Sequence, residues 1–352
     1  MGKLEFKNIT FAYDKNVIYN DLSLTVDNHE FLCIVGPSGA GKTTLLRLLA
    51  GFEHQSQGEI LYDNKELINK DTAFVFQNYA LFKSMKVKDN IAFGLKNQKL
   101  LKDKINELVN SVSESLNIKQ LLNRYPSELS GGEQQRVGLA RALVRNPKIY
   151  LFDEPLSNLD ASLKQSMRKE IKNIYKKNNA TFIYVTHDQT EASYLATKIL
   201  IVSKSGIEQY DSPKTIYENP KNTFVASFFG EEKINLLKGK VIKESNDYYI
   251  DYQNNKIKLD FTKYNNLNKY VNKTIIFGVR PEDISFRSFG LKYKLLEDEY
   301  IGNKNILKVK INKDTITILK NSKESFTDYI YFNNIKIFDS KTKENINYLE
   351  NK

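Results

Sequence analysis

The sequence predicts two domains of different texture, an α/β domain over residues 1–230 and a small β-barrel domain over residues 231–352. Three observations carry this reading. The apolar run Phe31-Leu32-Cys33-Ile34-Val35 leads into Gly36-Pro37-Ser38-Gly39-Ala40-Gly41-Lys42-Thr43-Thr44 and then Leu45-Leu46-Arg47-Leu48-Leu49, which reads strand, glycine loop, helix. Further short apolar runs, Ala73-Phe74-Val75-Phe76, Ile149-Tyr150-Leu151-Phe152 and Thr181-Phe182-Ile183-Tyr184-Val185, each close on polar residues, as buried strands of an α/β sheet do at a binding edge. Beyond Gly230 the runs shorten and are separated by Asn- and Gly-containing turns, which favours a small barrel.

Composition narrows the class. A chain of 352 residues suits two domains and buries a full core without difficulty. With 41% hydrophobic and 27% charged residues it resembles an ordinary soluble protein, and no apolar run approaches the ~18 residues of a spanning helix. The opening Met1-Gly2-Lys3-Leu4-Glu5-Phe6 lacks the apolar core of a secretory signal, so residence in the cytosol is expected. Phe6 also breaks the myristoylation pattern after Gly2. The single cysteine, Cys33, has no disulfide partner and is expected in the core. The net charge of +11 comes from lysines scattered along the whole chain, which points to a solvated surface rather than nucleic acid.

Taken in order, Leu4, Phe6 and Ile9, then Leu22, Leu24 and Val26, alternate as two strands around an exposed turn. Between them lies Tyr13, a candidate to stack on a base, which needs only a π-face. The glycine loop then fits the phosphate-loop pattern in its required context. Gly36, Ser38, Gly39 and Gly41 let backbone N–H groups converge on phosphate oxygens, Lys42 reaches the β- and γ-phosphates, and Thr43 offers a hydroxyl to Mg²⁺, with Thr44 completing the set. A nucleoside triphosphate is the expected ligand. Gly58-Glu59-Ile60-Leu61-Tyr62 predicts a strand, and the run ending at Phe76 places Gln77 at a strand's carboxyl end. Asn78-Tyr79-Ala80-Leu81-Phe82 predicts a loop exposing two aromatics as a docking surface, followed by a mostly helical region to about Leu122.

Leu129-Ser130-Gly131-Gly132-Glu133 precedes Val137, Leu139, Ala140 and Leu143 at helical spacing. Ser130 reads as an N-cap, the glycine pair permits close backbone approach, and the helix start is a second anion site. Asp153-Glu154 then closes a buried strand. Adjacent carboxylates there are costly unless one holds Mg²⁺ and the other orients a water. Thr186-His187-Asp188 puts one of three histidines at the edge of a core strand, and Ile199-Leu200-Ile201-Val202 with Ile207-Glu208-Gln209-Tyr210 predicts a closing hairpin. Helix and connector are expected from Pro213 to Gly230, and strands at Lys240-Val241-Ile242, Tyr248-Tyr249-Ile250, Lys256-Ile257-Lys258-Leu259, Thr274-Ile275-Ile276-Phe277 and Ile306-Leu307-Lys308-Val309.

Phosphate loop, Gln77, Ser130-Gly131-Gly132, Asp153-Glu154 and His187 in this order resemble the nucleotide-binding subunits of ABC transporters, over about 230 residues from Lys3 to Gly230. The resemblance implies an ABC-type P-loop NTPase fold with a helical subdomain at about 78–145, ATP and Mg²⁺ as ligands, and hydrolysis coupled to transport. It implies that Tyr13 stacks on adenine and that Thr43, Gln77 and Asp153 serve Mg²⁺. Lys42, Glu154 and His187 become the catalytic set, with Glu154 the general base and His187 the switch at the γ-phosphate. Ser157-Asn158-Leu159-Asp160 is similar to the loop through which two subunits communicate, which adds Asp160 to the nucleotide-site residues.

Further along, Gly278-Val279-Arg280-Pro281-Glu282-Asp283-Ile284 resembles the hallmark of the OB-like (TOBE) domain appended to importer ATPases for sugars, polyamines, iron and some oxyanions. The implied partners are a second copy in a head-to-tail homodimer, integral membrane permease subunits docking at Tyr79-Ala80-Leu81-Phe82, and a solute-binding protein, with no nucleic acid. The implied location is peripheral, on the cytoplasmic face of the cell membrane. The wording from Pro220 to Glu231 favours polyamine or ferric-iron import, with sugar or oxyanion import as the alternative and a soluble ATPase acting on nucleic acid as the rival class. Departures from the family pattern are Glu133 where glutamine is common, Lys83-Ser84-Met85 after the aromatic pair, a Ser205-Gly206-Ile207 turn one residue short, and a C-terminal stretch that matches no family pattern well.

Overall fold

The computed structural model describes residues 2–98, 100–260, 264 and 267–348. They divide into two compact units, Met1–Pro213 and Lys214–Lys352.

The first unit holds two sheets. One is antiparallel, in the order β2-β1-β4-β5, from β1 (Leu4–Tyr13), β2 (Asn16–Val26), β4 (Gln57–Tyr62) and β5 (Lys65–Glu66). The other has six strands, β10-β9-β3-β8-β7-β6, from β3 (Phe31–Val35), β6 (Thr72–Val75), β7 (Ile149–Asp153), β8 (Thr181–Val185), β9 (Lys198–Ser203) and β10 (Gly206–Asp211). All its neighbours pair parallel except the β9–β10 hairpin, as predicted from the two apolar runs there. The strands β3 and β8 are buried along their whole length, which is why they read as continuous apolar runs rather than alternating ones. Helix α1 (Lys42–Leu49) packs in the core between the sheets, where Leu45, Leu46 and Leu49 meet Leu4, Phe6 and Val26 from one and Ile34, Val185 and Val202 from the other. The loop before α1 therefore hangs from a rigid strand and feeds a rigid helix.

Between β6 and β7 the chain is helical, with α2 (Val87–Ala92), α3 (Lys102–Ser115) and α4 (Gly131–Leu143), inside the span expected for a helical subdomain. Helices α5 (Ala161–Lys177) and α6 (Gln189–Leu195) complete the unit. Among the described residues, no helix is long and apolar enough to cross a membrane.

The second unit carries sheets of order β13-β12-β11-β14-β21, β15-β20-β16 and β17-β18-β19. Its strands are β11 (Asn235–Glu244), β12 (Asp247–Tyr252), β13 (Asn255–Leu259), β14 (Thr274–Val279), β15 (Ile284–Arg287), β16 (Leu291–Lys292), β17 (Lys294–Ile301), β18 (Lys304–Ile311), β19 (Asp314–Asn321), β20 (Tyr329–Phe332) and β21 (Lys336–Asp339). They enclose one apolar cluster that includes Val241, Ile250, Phe277, Leu307, Ile318 and Ile337. The division between units falls after the first residue of α7 (Pro213–Glu218) and ahead of α8 (Thr223–Phe228), whereas the sequence put it at residue 230. Tertiary pairings tie this stretch to the barrel. The Arg280 guanidinium lies 4.2 Å from the Tyr217 ring centroid, and Asn345 Nδ2 donates to the Pro220 carbonyl at 2.9 Å. Burial of Arg280 lowers its pKa to about 10.

Candidate functional site

The glycine loop presents an exposed crown on a buried base: Ser38, Gly39 and Thr43 face solvent, while Gly36, Lys42 and Thr44 are buried. Lys42 Nζ donates to the Gly36 and Pro37 carbonyls at 2.8 and 2.9 Å, so the ammonium is held against its own loop. Burial lowers its pKa, while Glu154 and Asp153 oppose that shift. Gly41 has φ +89°, and a Cβ there would lie 2.8 Å from both Ile18 Cγ2 and the Tyr19 hydroxyl. Only glycine fits this combination of left-handed backbone and close backing. Tyr19 Oη in turn donates to the Gly41 carbonyl at 2.9 Å and fixes the loop's exit. Sequence reasoning missed Tyr19, because a partner 22 residues away on β2 leaves no local signature.

Around Lys42 the ends of β7, β8 and β6 assemble the polar set. Thr43 Oγ1 donates to Asp153 Oδ1 at 2.9 Å. Burial raises the Asp153 pKa and the neighbouring Glu154 adds to the rise, while the Thr43 hydrogen bond opposes it. Glu154 has φ 43°, a left-handed conformation that costs a non-glycine residue about 1–2 kcal/mol. That turn sends its carboxylate back over the strand end, where Oε2 lies 3.2 Å from His187 Nδ1 and 3.5 Å from Gln77 Nε2. Gln77 also donates to Ser157 Oγ at 3.3 Å, and Ser157 donates to the Glu154 carbonyl at 2.9 Å. Lys42, Thr43, Asp153, Glu154, His187 and Gln77 thus form one contiguous site from three strand ends and a helix start.

The remaining candidates lie on other supports. Ser130 caps α4 in a capping box: Glu133 Oε2 accepts the Ser130 N–H and hydroxyl, each at 2.8 Å. These bonds hold the Glu133 carboxyl below its usual range, the backbone one foremost. Gly132 is buried, and a Cβ there would meet Leu163 Cδ2 at 2.6 Å, whereas one on Gly131 would meet nothing within 4 Å. Asp160 caps α5, accepting from Leu163 N at 2.9 Å and Ser162 Oγ at 2.7 Å. Among the described residues, no hydrogen bond or ion pair joins Ser130, Gly131, Gly132 or Asp160 to the phosphate loop. Tyr13 is 38% exposed, packs edge-on against Phe11, and donates to Glu53 Oε1 at 3.2 Å, leaving ring surface free at the end of β1.

The docking segment needs one correction. Phe82 is exposed as expected, but Tyr79 is buried at 7% exposure against Gly138 of α4. The reason is backbone geometry: Tyr79 and Ala80 both have positive φ, and Arg141 holds that turn by donating to their carbonyls at 2.8 and 2.6 Å. The exposed aromatics are instead Phe52, Phe82 and Phe93, which with Phe74 and Phe76 line an apolar cleft edged by Arg141 and Arg145.

Comparison with known proteins meets this geometry. The ABC transporter family model matches residues 19–157, and the MalK OB fold domain model matches residues 233–284. The oligosaccharides import ATP-binding protein MsmX of Bacillus subtilis is 39% identical over 368 residues, covering 98% of this chain and 100% of its own. The chain belongs to the importer-type ABC transporter ATP-binding proteins. The sn-glycerol-3-phosphate import ATP-binding protein UgpC of Bordetella pertussis is 39% identical over 324 residues, 90% of this chain and 88% of its own. Among solved structures, a CbiO protein of Clostridium perfringens, part of the ABC transporter complex CbiONQ, aligns with a TM-score of 0.57 at 26% identity, covering 60% of this chain and 89% of its own.

As a member of that family, this importer ATPase binds ATP and couples its hydrolysis to transport. The residues present also fit Mg²⁺. A hydroxyl and a carboxylate already meet at Thr43 and Asp153, and the half-buried carboxylate would keep its charge at lower cost beside a cation.

Proposed function

We propose that this ATPase hydrolyses Mg·ATP in a head-to-tail homodimer and drives uptake of a sugar-class solute through a separate membrane permease on the cytoplasmic face of the cell membrane. The observation that carries the reading is the paired geometry at the strand ends, Thr43 to Asp153 and Glu154 to His187, set around Lys42. Lys42 would hold the β- and γ-phosphates and Tyr13 the adenine ring. Thr43, Asp153 and Gln77 would hold Mg²⁺, which supplies charge neutralisation on the phosphates. Glu154 would take the proton of the attacking water, and His187, hydrogen-bonded to it, would orient both base and γ-phosphate. Ser130, Gly131 and Gly132 have no link to their own loop among the described residues, and Gly131 has open space above it. Both facts suit a role on the γ-phosphate of a second copy, with Asp160 at the seam between them. Two nucleotides then join the pair, and their cleavage releases it.

The apolar cleft beside Phe82 supports docking of a permease helix, with a solute-binding protein delivering cargo from outside. The solute reading moves from polyamines or ferric iron to the sugar alternative, because the relatives just described are named for oligosaccharides and for glycerol 3-phosphate. A strain lacking this chain, assayed for uptake of oligosaccharides, glycerol 3-phosphate, polyamines and ferric iron, tests the solute. Loss confined to polyamine or iron uptake would overturn it. Purified protein that binds no Mg·ATP would overturn the wider proposal.

A further inference from the structure

Glu191 is a fully buried carboxyl that the chemistry above leaves unused, at 2% exposure beneath the turn that carries His187. It occupies the third position of α6, whose N-cap is Asp188, with side-chain Oδ1 accepting from Thr190 N at 2.8 Å and Glu191 N at 3.0 Å. A glutamate there commonly reaches back to the N-cap's own N–H. Glu191 turns instead into the sheet, where Oε2 accepts from the Thr186 hydroxyl at 2.9 Å and the Tyr184 hydroxyl at 3.0 Å. Thr186 Oγ1 then accepts the Asp188 N–H at 3.0 Å, so the cap is closed through a relay. The relay grips residues 184, 186 and 188, and His187 is the exposed residue held between them.

Such a network is costly among apolar strands. Burial raises the Glu191 pKa, and burial with the nearby Glu191 charge pushes the Tyr184 hydroxyl well above its usual value. Satisfied polar networks of this kind specify one local conformation where an apolar core would tolerate several. The turn they specify brings His187 Nδ1 to 3.2 Å from Glu154 Oε2.

We propose that Glu191 is a positioning residue for hydrolysis: acting through Thr186, it fixes the turn that aims His187 at Glu154. The inference rests on the catalytic roles proposed above for those two residues. Displacement of a catalytic group by about 1 Å costs on the order of 100-fold in rate, whereas nucleotide held by the phosphate loop should not sense it.

The test uses the full chain with Glu191→Leu, Glu191→Gln and Thr186→Val. Steady-state Mg·ATP turnover is measured with melting temperature and with the histidine Cε1–H signals in proton NMR, which are few because the chain has three histidines. The expected result for Glu191→Leu and Thr186→Val is a fall in kcat of about 10- to 100-fold with KM changed less than about threefold. The His187 signal, assigned with His187→Ala, should move while those of His29 and His54 stay. Glu191→Gln keeps an acceptor oxygen and should recover part of the turnover. A folded Glu191→Leu or Thr186→Val variant with wild-type kcat, or with an unmoved His187 signal, overturns the inference. Should Glu191→Leu not fold, the other two variants decide by the same criteria. A wild-type turnover unchanged by His187→Ala would instead sink the assigned role of His187, and the NMR comparison would still report whether Glu191 fixes the turn.

Discussion

Replacing Glu154 separates chemistry from binding and stability more cleanly than any other change in the site. Glutamine keeps its size, and the side chain is partly exposed, so Glu154→Gln should alter stability by less than about 1 kcal/mol. It removes the proton acceptor, which general-base catalysis values at about 10²–10⁴ in rate, or about 2.7–5.5 kcal/mol of barrier. Glu154→Gly probes the backbone as well. With φ at 43°, the glutamate carries about 1–2 kcal/mol of strain that glycine releases, against roughly 0.5–1 kcal/mol for glycine's greater freedom when unfolded. Removing the charge that raises the Asp153 pKa acts in the same direction. The glycine variant should therefore melt no lower than wild type, and up to about 6 °C higher, in the first unit while hydrolysing ATP no faster than the glutamine variant. Calorimetry with and without nucleotide, phosphate-release kinetics and ATP-dependent dimerisation by light scattering make the comparison. Turnover of Glu154→Gln within tenfold of wild type would refute the base assignment. So would an ATP-loaded variant that stays monomeric refute the two-copy mechanism, and a glycine variant that melts several degrees lower would refute the strain argument.

Other consequences concern the surroundings of that site. Gly131→Ala should fold normally and lose ATP-driven dimerisation, because its Cβ meets only open space within the chain; unimpaired dimerisation would show that no second copy approaches there. Gly132→Ala should instead lower the melting temperature, since Leu163 must shift away from a contact of 2.6 Å, and thermal denaturation reads this directly. Asp153 has a folded-state pKa above its unfolded one, so the folded apo chain binds more protons across that window and loses stability as pH rises through it. Asp153→Asn should abolish that loss in a pH series of apo melting temperatures while weakening Mg·ATP binding. Phe82→Asp should uncouple transport from ATP hydrolysis while sparing the ATPase of the isolated chain; normal transport by this variant would exclude the cleft as the permease contact.

Several elements of the site could be read from residue order alone. The phosphate loop, the Ser130 cap and the strand ends at Asp153 and His187 each rest on local physics: period-two or continuous apolar runs, glycine at a strand-to-helix turn, a hydroxyl before a helix. Such signals survive without knowledge of the fold because the interacting groups lie within a few residues of one another. The solute preference drawn from the connector wording fits the named relatives less well than the sugar alternative does, because a preference of that kind rests on no local physics of this sort.

The sequence by itself determined that a glycine loop would join a strand to a helix, and that a barrel would follow. Tertiary structure alone decided which groups meet. It brought Tyr19 under Gly41, buried Tyr79 beneath an Arg141 clamp, turned Glu154 back toward His187 through a left-handed backbone, and sent Glu191 inward to Thr186. These are pairings between separate elements or departures from a default local conformation, and their energies come from burial and long-range hydrogen bonds that no window of neighbouring residues contains.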